Sequence, residues 1–258
     1  MKKIPVFIFA GFFVSALFFS CATTKQISNS SCEEKFYLEK NYFLAEIDIS
    51  SPELKIVSYP KKEGFHKPVS VKEFARKNGC FAAINANPFT EKSRLNPFFS
   101  GRKPIGIYTD GFKEYSAPEE KYAAIAFFKE ETGYSARIYD SQAELSGKNP
   151  EFAAGGFWTI LRGEEIRKFK DIKDYRSAIG ISEDGRKIYL FCGKKLSYND
   201  CAQILKSKNV FCAMQLDGGS SSQLYFCGKN RQKSAANRLP SVILGFSNIS
   251  SRKNKIDE

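Results

Sequence analysis

The stretch from Val210 to Phe226 runs an apolar segment straight into a carboxylate, Asp217, followed by two glycines and three serines. In strand geometry Phe211, Ala213 and Gln215 share one face and Cys212, Met214 and Leu216 the other, a pattern suited to a strand covered on both sides. Asp217 then stands at the carboxyl end of that strand. Gly218 and Gly219 allow positive φ and close backbone approach, so their N–H groups could face an anionic ligand. Asp-Gly and Gly-Gly between two strand-like runs are also ordinary hairpin chemistry, and on this segment alone a hairpin is the simpler reading.

Other polar residues stand at the ends of apolar runs. Asn85 follows Phe81 to Ile84, Arg176 precedes Ala178 to Ile181, and Arg238 precedes Val242 to Phe246. Taken singly, the asparagine reads as a turn former and the arginines as surface or rim cations. Taken together, polar groups at strand ends can converge on one cleft.

The set resembles the phosphodiester glycosidase family. Gln215-Leu216-Asp217-Gly218-Gly219-Ser220-Ser221 is similar to its Asn-Leu-Asp-Gly-Gly-Gly-Ser-Ser signature. Tyr175-Arg176-Ser177-Ala178-Ile179-Gly180 is similar to its Pro-Arg-Thr-Ala-Ile-Gly, Ala83 to Phe89 to its Ile-Asn-Gly-Gly-Phe-Phe, and Asn237-Arg238-Leu239-Pro240 to its closing Arg-x-Val-Pro segment. The matches occur in the family's order.

The resemblance implies hydrolysis of the bond between a sugar's anomeric carbon and a phosphate that remains attached to a second group. Phosphate leaves readily once its charge is neutralised, so arginine can replace the protonated acid of an ordinary glycosidase. By this resemblance Asp217 and Arg176 are the catalytic candidates, with the carboxylate at the sugar face. Arg238 would help hold the phosphate, Gly218, Gly219 and Ser220 would offer backbone N–H groups, and Asn85 and Ser221 would complete the substrate contacts. A nucleophilic Ser221 would need an activating histidine, and His66 is the one histidine in the chain. Two alternatives stay open: a surface lipoprotein that binds anionic glycans without turnover, and a phosphodiesterase that cuts P–O.

The elements that must position these residues are less regular. Met1-Lys2-Lys3, the uncharged run from Ile4 to Ser20 and Cys21 have the layout of an export signal ending at a lipidation cysteine. This predicts a signal over 1–20, a polar tether over 21–33, one domain over 34–247 and a charged tail over 248–258. The protein would then be an exported lipoprotein of the cell envelope, membrane-anchored through lipid at Cys21. A formal charge of +12 favours anionic partners. Because the lysines are scattered and not clustered in a recognisable nucleic-acid module, a polyanionic glycan or anionic membrane surface fits better than DNA or RNA. No familiar zinc spacing occurs, and neither metal nor cofactor is expected. Seven cysteines would leave six after lipidation, several in apolar runs where a thiol behaves as a small hydrophobe, so no disulfide framework is expected.

Tyr42 to Ile49 and Leu54 to Tyr59 alternate like a pair of strands. Helices are predicted from Ser70 to Lys77 and from Ser197 to Lys206, each opened by a serine cap. Hairpins are predicted at Asp110-Gly111, Thr132-Gly133, Arg162-Gly163 and Asp184-Gly185. The expected class is α+β: a single domain of mixed, hairpin-rich β-sheet with a few short helices.

Overall fold

The computed structural model describes residues 35–92, 101–233 and 238–249. The signal-like segment, Cys21, Cys32, the tether, Asn237 and the charged end of the chain lie outside them.

Strand accounts for 46% of the described residues and helix for 13%, with two α-helices among them. The expected α+β class is therefore corrected to a mainly β fold built of antiparallel sheets. The reason is that the helices do not form a layer of their own: each covers one local patch of one sheet.

A seven-stranded sheet has the order β1 (Lys35–Leu38), β2 (Tyr42–Asp48), β15 (Lys187–Leu196), β14 (Asp174–Ile181), β16 (Cys212–Gln215), β12 (Thr159–Arg162) and β13 (Glu165–Ile166). One five-stranded sheet runs β10 (Tyr134–Tyr139), β9 (Ala124–Lys129), β11 (Phe152–Gly155), β7 (Tyr108–Asp110), β8 (Lys113–Ser116). The other runs β18 (Lys229–Lys233), β17 (Gln223–Phe226), β4 (Ala82–Asn85), β19 (Ile243–Asn248), β3 (Leu54–Tyr59), and a short ribbon pairs β5 (Phe89–Glu91) with β6 (Arg102–Pro104). The four predicted hairpins are the β7–β8, β9–β10, β12–β13 and β14–β15 connections. In contrast, β2 and β3 are neighbours in sequence but belong to different sheets.

All three large sheets share one core. Phe43, Ala45 and Ile47 of β2 meet Ile84 of β4, Phe127 of β9, Met214 of β16 and Phe246 of β19 there. Alternate residues turn the other way: Leu44, Ala178, Phe191 and Ala213 pack under helix α2 (Tyr198–Ser207) through Cys201, Ala202 and Leu205. Helix α1 (Val71–Asn78) likewise places Val71, Phe74 and Ala75 on Val57, Ala83 and Ile243. Gly245 permits this close seat, since a Cβ there would lie 2.8 Å from both Cys80 Sγ and Phe74 Cε1.

Both helix starts follow their sequence signals. Ser70 accepts from the Glu73 N–H, and Gly79 closes α1 in the left-handed region at φ 65°. Ser197 and Asp200 form a reciprocal capping box at the start of α2. This fixes where the chain turns from the end of β15 into α2, beside the start of β14.

Candidate active site

The segment after β16 is not a hairpin. β16 lies in the seven-stranded sheet and β17 in a five-stranded one, so Asp217 to Ser222 carries the chain from one sheet to the other. A single 3-10 turn over Gly219–Ser221 makes the crossing. Gly219 adopts φ 57°, while Gly218 is extended, so of the two glycines that allow positive φ one uses it. Close approach explains Gly218: a Cβ there would sit 3.2 Å from Tyr175 O and 3.9 Å from Arg176 Nη1.

Asp217 is held by its backbone. Its N–H donates to Ala86 O at 2.8 Å, and its carbonyl accepts from Asn85 Nδ2 at 2.6 Å. Oδ2 is buried and has no hydrogen-bond partner among the described residues, a costly state for a carboxylate oxygen. Burial pushes the carboxyl up to about 7, against the opposing influence of the Ser221 hydroxyl, the Arg238 charge and the Gly218 N–H.

Arg176 lies next to this junction at the start of β14. Ala178 of β14 is in register with Gln215 of β16, so the beginning of one strand abuts the end of the other. The guanidinium is buried; Nε donates to Leu196 O at 3.1 Å and Nη2 to Ile172 O. It stacks on Tyr198 with its carbon 4.2 Å from the ring centroid. Burial raises the Tyr198 phenol, against the lowering influence of the Arg176 charge stacked on its ring.

Arg238 reaches the turn differently. Its N–H donates to Ser220 O at 2.9 Å, but its guanidinium forms a two-pronged pair with Glu91 at 2.9 and 2.8 Å. Glu91 also binds Arg102 at 2.6 Å, and both guanidiniums lie over the Phe89 ring at 4.8 and 4.9 Å. The structure thus brings Asp217, Arg176 and the Gly218–Ser221 turn together, with Arg238 alongside but already paired.

Asn85 is buried and occupied within the protein. Besides Asp217 O, it bonds the Ser177 hydroxyl at 2.8 Å and the Gln223 N–H at 3.0 Å through Oδ1. It positions the junction. Ser221 is buried, and the Gly219 and Ser220 N–H groups have no partner among the described residues. His66, buried and lowered chiefly by desolvation, donates from Nε2 to Ser241 O at 3.0 Å. No group of residues suited to hold a metal ion occurs among the described residues.

Two neighbours were not singled out by the sequence. Asp174 opens β14, and a Cβ on Gly219 would lie 3.3 Å from its Oδ2. Its signal was present, since two residues before Arg176 is the same-face position of a strand, although a register irregularity falls between them. Tyr198 directly follows the predicted cap Ser197, but only the sheet order brings α2 beside Arg176.

Among the described residues Cys192, Cys201 and Cys212 are free, buried thiols. Burial pushes Cys192 up to about 12 and Cys212 up to about 11, which leaves both as packing groups.

Three solved structures share the fold. A hypothetical protein from Synechocystis aligns with TM-score 0.60 and 15% identity over 86% of this chain, which spans 61% of that protein's length. The catalytic domain of zebrafish N-acetylglucosamine-1-phosphodiester alpha-N-acetylglucosaminidase, auto-inhibited by its pro-peptide, aligns with TM-score 0.60 and 18% identity over 87% of this chain and 81% of that one. A candidate exported protein from Burkholderia pseudomallei aligns with TM-score 0.64 and 10% identity, covering 83% and 74% of the two chains. Among curated protein sequences none matches. The family profile described as phosphodiester glycosidase matches residues 78–246, a span that contains Asn85, Arg176, Asp217 and Arg238. The chain belongs to the phosphodiester glycosidase family.

Proposed function

We propose that the protein hydrolyses a sugar-1-phosphodiester at the glycosidic C–O bond. The observation that carries this reading is the buried Oδ2 of Asp217, unpartnered among the described residues and beside a buried arginine and a turn with open N–H groups. Water adds to the anomeric carbon, the C–O bond breaks, and free sugar and a phosphomonoester result. Positive charge grows at the anomeric carbon and negative charge on the departing phosphate. Asp217 balances the first, and Arg176 with the Gly219 and Ser220 N–H groups balances the second. Arg238 adds to the phosphate side when its bond to Glu91 is shared. Asn85 fixes the carboxylate's backbone and Ser221 restrains its side chain.

Synthetic sugar-1-phosphodiesters hydrolysed in oxygen-18 water test the proposal. Label in the released sugar supports C–O cleavage. Label in the phosphate would make the enzyme a phosphodiesterase that cuts P–O, and binding without release of sugar would make it a glycan-binding protein.

The basic N-terminus, apolar run and Cys21 support export and lipid anchoring in the cell envelope. None of the helices among the described residues is long and apolar enough to cross a membrane; in this reading anchorage comes through lipid on Cys21.

A further inference from the structure

Beyond Asp217 on the same sheet edge lies an aromatic group that the core does not use. Tyr122, Phe157 and Trp158 are each half-buried, and their rings contact one another at centroid distances of 5.6, 5.7 and 6.2 Å. The four hydrophobic clusters among the described residues contain none of them. Lys121 lies over the Tyr122 ring at 5.0 Å.

The group is firmly tied to the strand that carries Asp217. Gln215 donates its N–H to Trp158 O at 2.8 Å and accepts from the Phe157 N–H at 2.8 Å. Gly156 presses against the same strand, since a Cβ there would lie 2.3 Å from Met214 Cε and 2.4 Å from Gln215 O. Across the sheet the order is β14, β16, β12, with Arg176 at the start of β14, Asp217 just past the end of β16, and Trp158 just before the start of β12. Neighbouring strands are about 4.8 Å apart. The phosphate donors gather on the β14 side of Asp217, because Gly218 borders Tyr175 and Gly219 borders Asp174.

Resting on the hydrolytic function proposed above, we propose that Tyr122, Phe157 and Trp158 form the platform on which the sugar ring of the substrate stacks. With phosphate at Arg176 and the anomeric carbon at Asp217, the pyranose extends away from β14 and over the start of β12. A pyranose carries an apolar C–H face and a polar rim, and aromatic rings that are half-buried and mutually braced match the former at small entropic cost.

Trp158 is the one tryptophan of the chain, so its emission reports on this place alone. The experiment uses a panel of pyranosyl 1-(methyl phosphates), with dimethyl phosphate as the sugar-free control. On the Asp217→Asn protein, a diester that the wild type hydrolyses should change tryptophan emission saturably, and dimethyl phosphate should not. Trp158→Ala should raise KM about tenfold with kcat within about twofold, and Trp158→Phe should recover most of the loss. If the wild type hydrolyses a diester while emission at saturation and the KM of Trp158→Ala stay unchanged, the platform is refuted and the hydrolytic reading stands. Absence of both hydrolysis and any emission change across the panel would overturn both. Should Trp158→Ala fail to fold, the emission titration on Asp217→Asn still decides.

Discussion

The Asn85 side-chain amide donates to the main-chain carbonyl of Asp217 at 2.6 Å, across a gap between two sheets. Its oxygen at the same time accepts from Ser177 and from Gln223. One side chain therefore joins β14, the start of β17, the end of β4 and the second residue past β16.

Asn85→Ala should consequently act on stability as well as on turnover. It strands the Ser177 hydroxyl, the Gln223 N–H and the Asp217 carbonyl in a buried place, at a cost on the order of 2–4 kcal/mol. Urea denaturation measures it. A variant as stable as wild type but raised in KM would instead mark Asn85 as a substrate ligand.

Asp217→Asn should fold and bind a sugar phosphodiester, yet release sugar at only a residual rate, because the lost charge matters more in the transition state than in the ground state. Equal rates for variant and wild type would remove Asp217 from the mechanism.

The same carboxyl gives a pH signature. Its folded pKa of about 7 exceeds the ordinary 3.8, so between those values the folded protein binds more protons than the unfolded chain. Stability therefore falls as pH rises through that window, by at most about 4 kcal/mol once pH passes 7. Asp217→Asn should melt above wild type at pH 8 and close to it at pH 4. In wild type, kcat/KM should climb as pH rises through about 7, where the ionised form takes over. Superposed melting curves at both pH values would show the carboxyl to be better solvated than its surroundings suggest.

The two arginines should not behave alike. Arg176→Ala is expected to lower kcat/KM about 10- to 100-fold, the range of a charge-assisted hydrogen bond. Arg238→Ala should cost less, since Glu91 already shares its charge, and Lys72→Ala on the exposed face of α1 should cost nothing measurable. Comparable losses at Arg176 and Lys72 would reduce Arg176 to a structural cation.

Cys21→Ala should shift the protein from the membrane fraction to the soluble one and change the mass of the mature N-terminus. Unaltered partitioning and mass would dismiss the lipid anchor.

Local signals were legible in the sequence because their causes are local. Ser197 with Asp200, and glycines at positions 111, 133, 163 and 185, each fix a cap or a turn within a few residues. Sheet membership was not legible, because β2 and β3 alternate like partners yet pair elsewhere, a choice made by the shared core. Asp217-Gly218 also reads as a hairpin until β16 and β17 are seen in separate sheets. Asp217, Arg176 and Asn85 could be singled out by their strand-end positions and family motifs, but the occupation of Asn85 by Ser177 and Gln223, and of Arg238 by Glu91, depends on contacts between distant segments.

Because the turn from Asp217 to Ser222 bridges two sheets, the carboxylate acquires its surroundings only after both have closed on one another. Neither sheet alone contains Asp217, its Asn85 anchor and Arg176. In the proposed reading, closure of the two sheets on one another is thus also the step that completes the catalytic site.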